Sequence, residues 1–262
     1  MLLETKTAIV YGGGGSIGSA VARAFAREGA AVFLAGRTLA ALAPVAEEIT
    51  ASGGVATAAQ VDALSRQAVE EHAAAVLEQA GGIDITFNAT SNGDVQGSEL
   101  IDLPFEDFAR PVTRAMTTQF LTATAVARHM IKRGSGVILA MGGGREAVPT
   151  LGGSSVAWAT MAALCRQLAC ELGPHGVRVA WLLSPGSPEA IPETDDTTDP
   201  LSTGYGSGRT RDDILAEMTA GTMLRRLPSL DDVANAAVLV ASDRARAMTS
   251  TEINVTCGSA TD

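Results

Sequence analysis

Short apolar runs alternate with longer amphipathic ones along most of the chain, and that alternation restricts the fold more than any other feature. The runs "TAIVY", "AVFLA", "VATAAQ", "IDITFN", "GVILAM" and "VRVAWLL" read as strands. They are apolar almost throughout, the pattern of strands covered on both faces. Helical periodicity fills the gaps over residues 17–28, 39–52, 65–79, about 104–132 and about 155–172. In the first of these, Ala20, Val21, Ala24 and Phe25 form an apolar stripe opposite Arg23, Arg27 and Glu28, and Gly29 supplies a stop. Two further helices and a short strand, "EINV", complete the chain. Strict alternation predicts an α/β fold: a doubly wound parallel sheet of about seven strands with right-handed crossovers and helices on both faces. No repeat or linker divides the 262 residues, so one domain over 1–262 is expected.

Composition narrows the partners. A net charge of −10 and a pI of about 4.8 oppose binding to nucleic acid or to an anionic membrane. The opening "MLLETKTAIVYGG" lacks the basic start and long apolar run of a signal peptide. No window approaches the ~20 apolar residues that cross a bilayer. A cytoplasmic protein acting on a small molecule is the expectation. Cys165, Cys170 and Cys257 have no metal-ligand spacing and are too few for a disulfide framework, so no metal is expected. Residues 184–211, rich in Pro, Gly, Thr and Asp, break the alternation and read as a lid over the carboxyl ends of the strands.

The first strand runs into "YGGGGSIG", Tyr11 to Gly18, and then directly into a helix. Glycines let the backbone turn tightly and approach a diphosphate, which the amides at the helix N-terminus bind. In this strand–turn–helix context the turn reads as the dinucleotide site of a Rossmann-type fold. A preference for NAD usually places an acid at the end of the second strand. Here that strand ends "AGRT", and the guanidinium of Arg37 suits a 2′-phosphate, so NADP(H) is favoured over NAD(H).

Several ordered motifs resemble those of the short-chain dehydrogenases/reductases over nearly the whole chain. "YGGGGSIG" is similar to their TGxxxGxG turn, with Tyr11 for Thr and Ser16 for the second motif glycine. "VDAL" puts Asp62 at the acidic adenine site, and "FNAT" keeps Asn88 and Ala89 of the Asn-Ala-Gly motif with Thr90 for Gly. "ELGPHGVRVAWLLSPG" ends in the Pro185–Gly186 pair of the nicotinamide pocket, and "MTSTEINVTCG" resembles the C-terminal strand and turn. The resemblance implies Gly12, Gly14, Ser16, Ile17, Gly18, Arg37, Asp62, Asn88, Ala89, Pro185 and Gly186 as cofactor-binding residues. It also implies a homo-oligomer, dimer or tetramer, packed through the fourth and fifth helices.

The family's usual chemistry needs a Tyr as acid/base and a Lys at YxxxK spacing to lower its pKa, since a free phenol titrates near about pH 10. A Ser binds the substrate oxygen, and an Asn in the fourth helix holds a relay water. Alignment on the family pattern places Ser154 at the Tyr position, Trp158 at the Lys position, Met141 at the Ser position and Ala115 at the Asn position. No shifted copy exists. The only tyrosines are Tyr11 and Tyr205, the only lysines Lys6 and Lys132, and none lies between 132 and 205. Ser154 and Ser155 then read either as N-caps of the fifth helix or as a catalytic hydroxyl without a base, and Trp158 as a filler of the lysine's space whose indole N–H can donate one hydrogen bond to cofactor or substrate. Arg145 and Glu146 are either a solvated pair or an anion anchor, and Tyr205 either swings over the pocket or lies exposed in the lid. His72, His129 and His175 are expected in surface or capping roles.

Three functions fit. The first is an NADP(H)-dependent oxidoreductase that transfers hydride to or from an activated carbonyl, enone or iminium without the Tyr–Lys relay. The second is a non-redox cyclase, isomerase or lyase on the same scaffold. The third is a catalytically inactive nucleotide-binding partner subunit.

Overall fold

The computed structural model describes residues 1–191 and 210–261. Seven strands, β1 (Thr7–Tyr11), β2 (Ala31–Gly36), β3 (Val55–Gln60), β4 (Ile85–Asn88), β5 (Gly136–Gly142), β6 (Val177–Leu183) and β7 (Thr251–Asn254), form one sheet in the order β3-β2-β1-β4-β5-β6-β7. Every pairing is parallel. The helices are α1 (Ser16–Arg27), α2 (Leu39–Ala51), α3 (Arg66–Ala80), α4 (Phe105–Arg133), α5 (Ser154–Leu172), α6 (Arg211–Ala220) and α7 (Leu230–Ala241).

Alternation along the strands splits the core into two layers. Ile9 and Tyr11 of β1 face a cluster with Val69 and Val76 of α3, Met130 of α4, and Cys165 and Leu168 of α5. Ala8 and Val10 face the other cluster, with Val21 and Phe25 of α1 and Val233 and Val238 of α7. Both faces are therefore dry, as the unbroken apolar strands required. The exceptions are the two edge strands, β3, which is half-buried with Val55 exposed, and β7, which is half-buried with Asn254 exposed.

Helix boundaries fall within a residue or two of the periodicity. Two ends have visible physical causes. Ser65 is the N-cap of α3, its hydroxyl accepting from the amide of Ala68 at 3.3 Å. Gly29 follows the α1 terminus with φ of +92°, as the glycine stop predicted. α4 carries an interior proline, Pro111, and there α5 comes close: a Cβ on Gly153 would stand 2.0 Å from the carbonyl oxygen of Phe108.

Strands are added to one side of β1 through β2 and β3 and to the other side from β4 onward, and this switch in strand order opens a crevice at the carboxyl ends of the strands. Most of the predicted lid, residues 192–209 including Tyr205, lies outside the described residues. Arg211 ties the flanks of that segment together, donating to the carbonyls of Ile191 at 3.1 Å and Pro188 at 2.8 Å. Among the described residues no helix is long and apolar enough to cross a membrane.

Candidate active site

The crevice is a cleft of about 370 Å³. Gly12, Gly14, Ser16, Ile17, Gly18, Arg37, Asp62 and Ala89 all line it. Close approach explains two of the glycines. Gly12 has φ of +77°, and a Cβ there would lie 2.4 Å from the carbonyl oxygen of Ala89. A Cβ on Gly18 would lie 2.1 Å from the carbonyl oxygen of Gly12, so α1 seats its first turn directly on the loop that leaves β1. Gly15 is the N-cap of α1 and no side chain caps it, which leaves the first amides of the helix for a ligand.

Arg37 is exposed at the end of β2, and among the described residues its guanidinium has no ion-pair or hydrogen-bond partner; only its carbonyl is engaged, accepting from Gln60 at 3.0 Å. Asp62 accepts from the amide of Leu64 at 3.0 Å, which fixes the turn after β3. Asn88 sits beneath the cleft rather than in it. Its amide nitrogen donates to Gln119 at 3.1 Å and its oxygen accepts from the Thr90 amide and hydroxyl, so β4 is tied to α4. The sequence reading missed Thr38, Ser91, Arg114 and Thr118, which also line the cleft.

A second cavity of about 460 Å³ opens beside the first. Val148, Leu151, Trp158, Pro185, Ile214 and Met218 give it a mostly apolar wall, and Arg145, Glu146 and Glu217 carry its charge. Pro185 lines this cavity while Gly186 lines neither. The hydroxyls of Ser184 and Ser187, flanking that pair, are buried without a hydrogen-bond partner among the described residues. A void of about 10 Å³ lies between the two spaces, sharing Thr90 and Thr118 with the cleft and Trp158 with the second cavity. Ala115, Met141 and Trp158 are brought together around it.

Three expectations need correction. Ser154 is not an N-cap, since Gly153 occupies that position. Ser154 is instead 1 % exposed and donates to Asp94 Oδ2 at 2.7 Å, an oxygen that also accepts from Gln96 at 2.6 Å. The loop after β4 folds over the start of α5 to make this bond, which nothing in local sequence signals. Arg145 does not pair with Glu146; its Nε lies 2.6 Å from Glu252 of β7, whose other oxygen accepts from the Trp181 indole at 2.9 Å. His72 is buried, not a surface group. It stacks edge-on to Tyr11 at 5.9 Å, and burial pushes its pKa down to about 4. Its spacing with Val69, Ala73 and Val76 on the buried face of α3 was a readable sign. His129 is half-exposed and His175 exposed, in keeping with surface positions.

The residue against Trp158 is Gly143, just beyond β5: a Cβ there would be 2.2 Å from Cζ2 of the indole. Met141, two residues earlier, borders the void instead. Among the described residues lining the cleft and the second cavity there is no Lys, His or Cys, and the one phenol, Tyr11, is buried and shifted upward in pKa by that burial. The arrangement is two separate spaces with the small void beside Trp158 between them. Its described walls offer no neutral-pH proton donor at the junction.

The chain matches the family model described as enoyl-(acyl carrier protein) reductase over residues 13–260. It is 32% identical to an L-rhamnose 1-dehydrogenase (NAD(P)(+)) of Azotobacter vinelandii, covering 98% of each chain. It is 31% identical to a 7α-hydroxysteroid dehydrogenase of Escherichia coli K12, over 93% of this chain and 89% of that one. Among solved structures, a 7α-hydroxysteroid dehydrogenase complexed with NADH and 7-oxo glycochenodeoxycholic acid matches with a TM-score of 0.81 at 28% identity, over 99% of this chain and 96% of that one. Carveol dehydrogenase from Mycobacterium avium in complex with NAD matches with a TM-score of 0.87 and, at 24% identity, shows the shared fold.

Proposed function

We propose, starting from the fact that this chain belongs to the short-chain dehydrogenase/reductase family, that it is an NADP(H)-dependent oxidoreductase working without a Tyr–Lys relay. Its substrate is a small activated carbonyl, enone or iminium seated in the second cavity. The observation that carries this reading is the void beside Trp158: it shares Thr90 and Thr118 with the glycine-lined cleft and Trp158 with the apolar cavity, and no lysine, histidine or cysteine lines any of the three among the described residues. The cradle at Gly12 and Gly18, which any Cβ would fill, fits a diphosphate, and the orphaned hydroxyls of Ser184 and Ser187 fit the nicotinamide end. When bound, the nicotinamide supplies hydride transfer.

The protein's own residues then divide the work. The first amides of α1 and the Gly12–Gly18 turn hold the diphosphate. Arg37 takes the 2′-phosphate, and Asp62 the adenine. Ser184 and Ser187 orient the carboxamide end. Trp158 closes the wall between cofactor and substrate, excludes water, and holds at most one hydrogen bond on the substrate oxygen. The proton comes from solvent or from the substrate's own groups, which is why the substrate must already be activated. Solved relatives are named with NAD or NADH, so the NADP(H) preference rests on Arg37.

Calorimetric titration tests the cofactor. NADPH is expected to bind at least about tenfold tighter than NADH, a preference that Arg37→Ala abolishes. Steady-state rates test the mechanism: turnover of enones or iminium ions should far exceed that of simple ketones. A robust ketoreductase rate with simple ketones would end this reading. Turnover without nicotinamide oxidation would favour the cyclase, isomerase or lyase alternative, which the apolar surroundings of Trp158 also fit. Binding with no turnover of any kind would favour a partner subunit.

A further inference from the structure

Arg114 stands in the wall of the nucleotide cleft, on α4, one turn before Thr118. Its Nε is shielded from water and has no hydrogen-bond partner among the described residues. No described residue forms an ion pair with its guanidinium either, although acids are plentiful in a chain with net charge −10. A sequestered guanidinium N–H with nothing to donate to is unfavourable, and a ligand oxygen would remove that cost.

The location says which oxygen. Arg114 packs on the loop after β4, where a Cβ on Gly93 would meet its Nη1 at 2.9 Å. The start of that same loop, Ala89 and Thr90, is where Gly12 makes its close approach, so the guanidinium and the glycine turn belong to one part of the cleft. Arg37 is on the other side, at the end of β2 with Thr38 and the Asp62 turn. A reduced NADP carries about four negative charges, while a helix N-terminus offers only about half a positive one. Arg37 answers the 2′-phosphate, and the first amides of α1 answer part of the diphosphate. Among the described residues the charged ones lining the cleft are Arg37, Asp62 and Arg114, which leaves Arg114 as the cation for the remainder.

We infer that Arg114 is a cofactor-positioning residue whose guanidinium binds the diphosphate of the dinucleotide, supplying from α4 a positive charge that the Trp158 position on α5 lacks. This rests on the reading of the cleft as a dinucleotide site. Arg114 does not line the second cavity, so it acts on cofactor affinity and not on substrate affinity.

Titration of the full chain with NADPH, ADP-ribose and adenosine 2′-phosphate separates the possibilities, because only the first two carry a diphosphate. Arg114→Gln is expected to weaken NADPH and ADP-ribose about tenfold and to change adenosine 2′-phosphate by less than about twofold. Arg114→Lys keeps the charge and should retain more of the affinity than Arg114→Gln. The unliganded thermal midpoints of both variants should match the parent's. Equal weakening of all three probes would place the guanidinium on the adenosine and overturn the inference, as would no weakening at all. Failure of the parent chain to bind ADP-ribose or NADPH overturns it together with the dinucleotide reading. The expected Arg114→Gln pattern in a parent that binds NADPH and NADH equally leaves this inference standing and removes only the cofactor preference.

Discussion

At the residue scale, the serine that opens α5 carries its chemistry in a carboxylate bond and not in a cap. Ser154 is buried and its hydroxyl donates to Asp94, so truncation leaves a half-buried carboxylate with one donor fewer. Ser154→Ala is expected to lower the unfolding free energy by about 2 kcal/mol, the range for a hydrogen bond to a charged group. Denaturant titration measures it. If the serine is a staple, turnover per folded molecule is unchanged; a large loss of turnover with stability intact would make it a catalytic group. Residues of this kind were the least legible ones. Asp94, Gly143 and Arg114 matter because distant segments come together, and no local spacing announces that. Arg37, the Gly12–Gly18 turn and Asp62 were legible as a group because all follow strand ends, and the structure brings them to one cleft.

At the scale of elements, the helices that could be read from sequence are those with a one-sided apolar pattern and a marked end. α7, one of the two helices that the sequence places without bounds, has such an end in the structure. Ser229 accepts from the amide of Asp232 at 3.1 Å while the Asp232 carboxylate accepts from the Ser229 amide at 2.9 Å, a reciprocal cap. Asp232 also meets Arg226 at 2.6 Å, and the Arg226 hydrogen bond, followed by the Ser229 amide, lowers its pKa. Because α7 packs Val233, Ala237 and Val238 into one core layer, fraying at this cap exposes apolar surface. Ser229→Ala should therefore cost about 1 kcal/mol of stability, read as a lower denaturation midpoint with an unchanged slope. α4 and α5 were harder to read as a pair. Their periodicities fixed each helix, but the approach at Gly153 is a tertiary event in which a missing side chain lets two backbones meet.

At the scale of the whole molecule, the buried imidazole of His72 links stability to pH. Its pKa is about 4 in the folded protein against an ordinary 6.5, because burial opposes the charged form. The unfolded chain thus takes up the proton first. The contribution is complete above pH 6.5 and is lost as pH falls from there through about 4. The shift corresponds to about 3 kcal/mol at most. His72→Phe, which keeps an aromatic ring against Tyr11, should flatten the acid side of the stability profile relative to the parent, measured by unfolding at pH 7, 5.5 and 4. An unchanged slope would mean the ring is not shielded in solution. The parallel sheet and its two apolar layers were legible from alternation, since helices on both faces bury strands that are apolar throughout, whereas the strand order came only from the structure.

The contact between Trp158 and Gly143 also bears on how such a chain can change over time. The indole occupies the volume a side chain at 143 would need, so each residue makes the other's replacement unfavourable. A slimmer side chain at 158 alone would leave space beside a glycine, and enlarging 143 alone would collide with the ring. Substitution at either position alone is therefore expected to cost stability, and a change that keeps the packing has to alter 143 and 158 together.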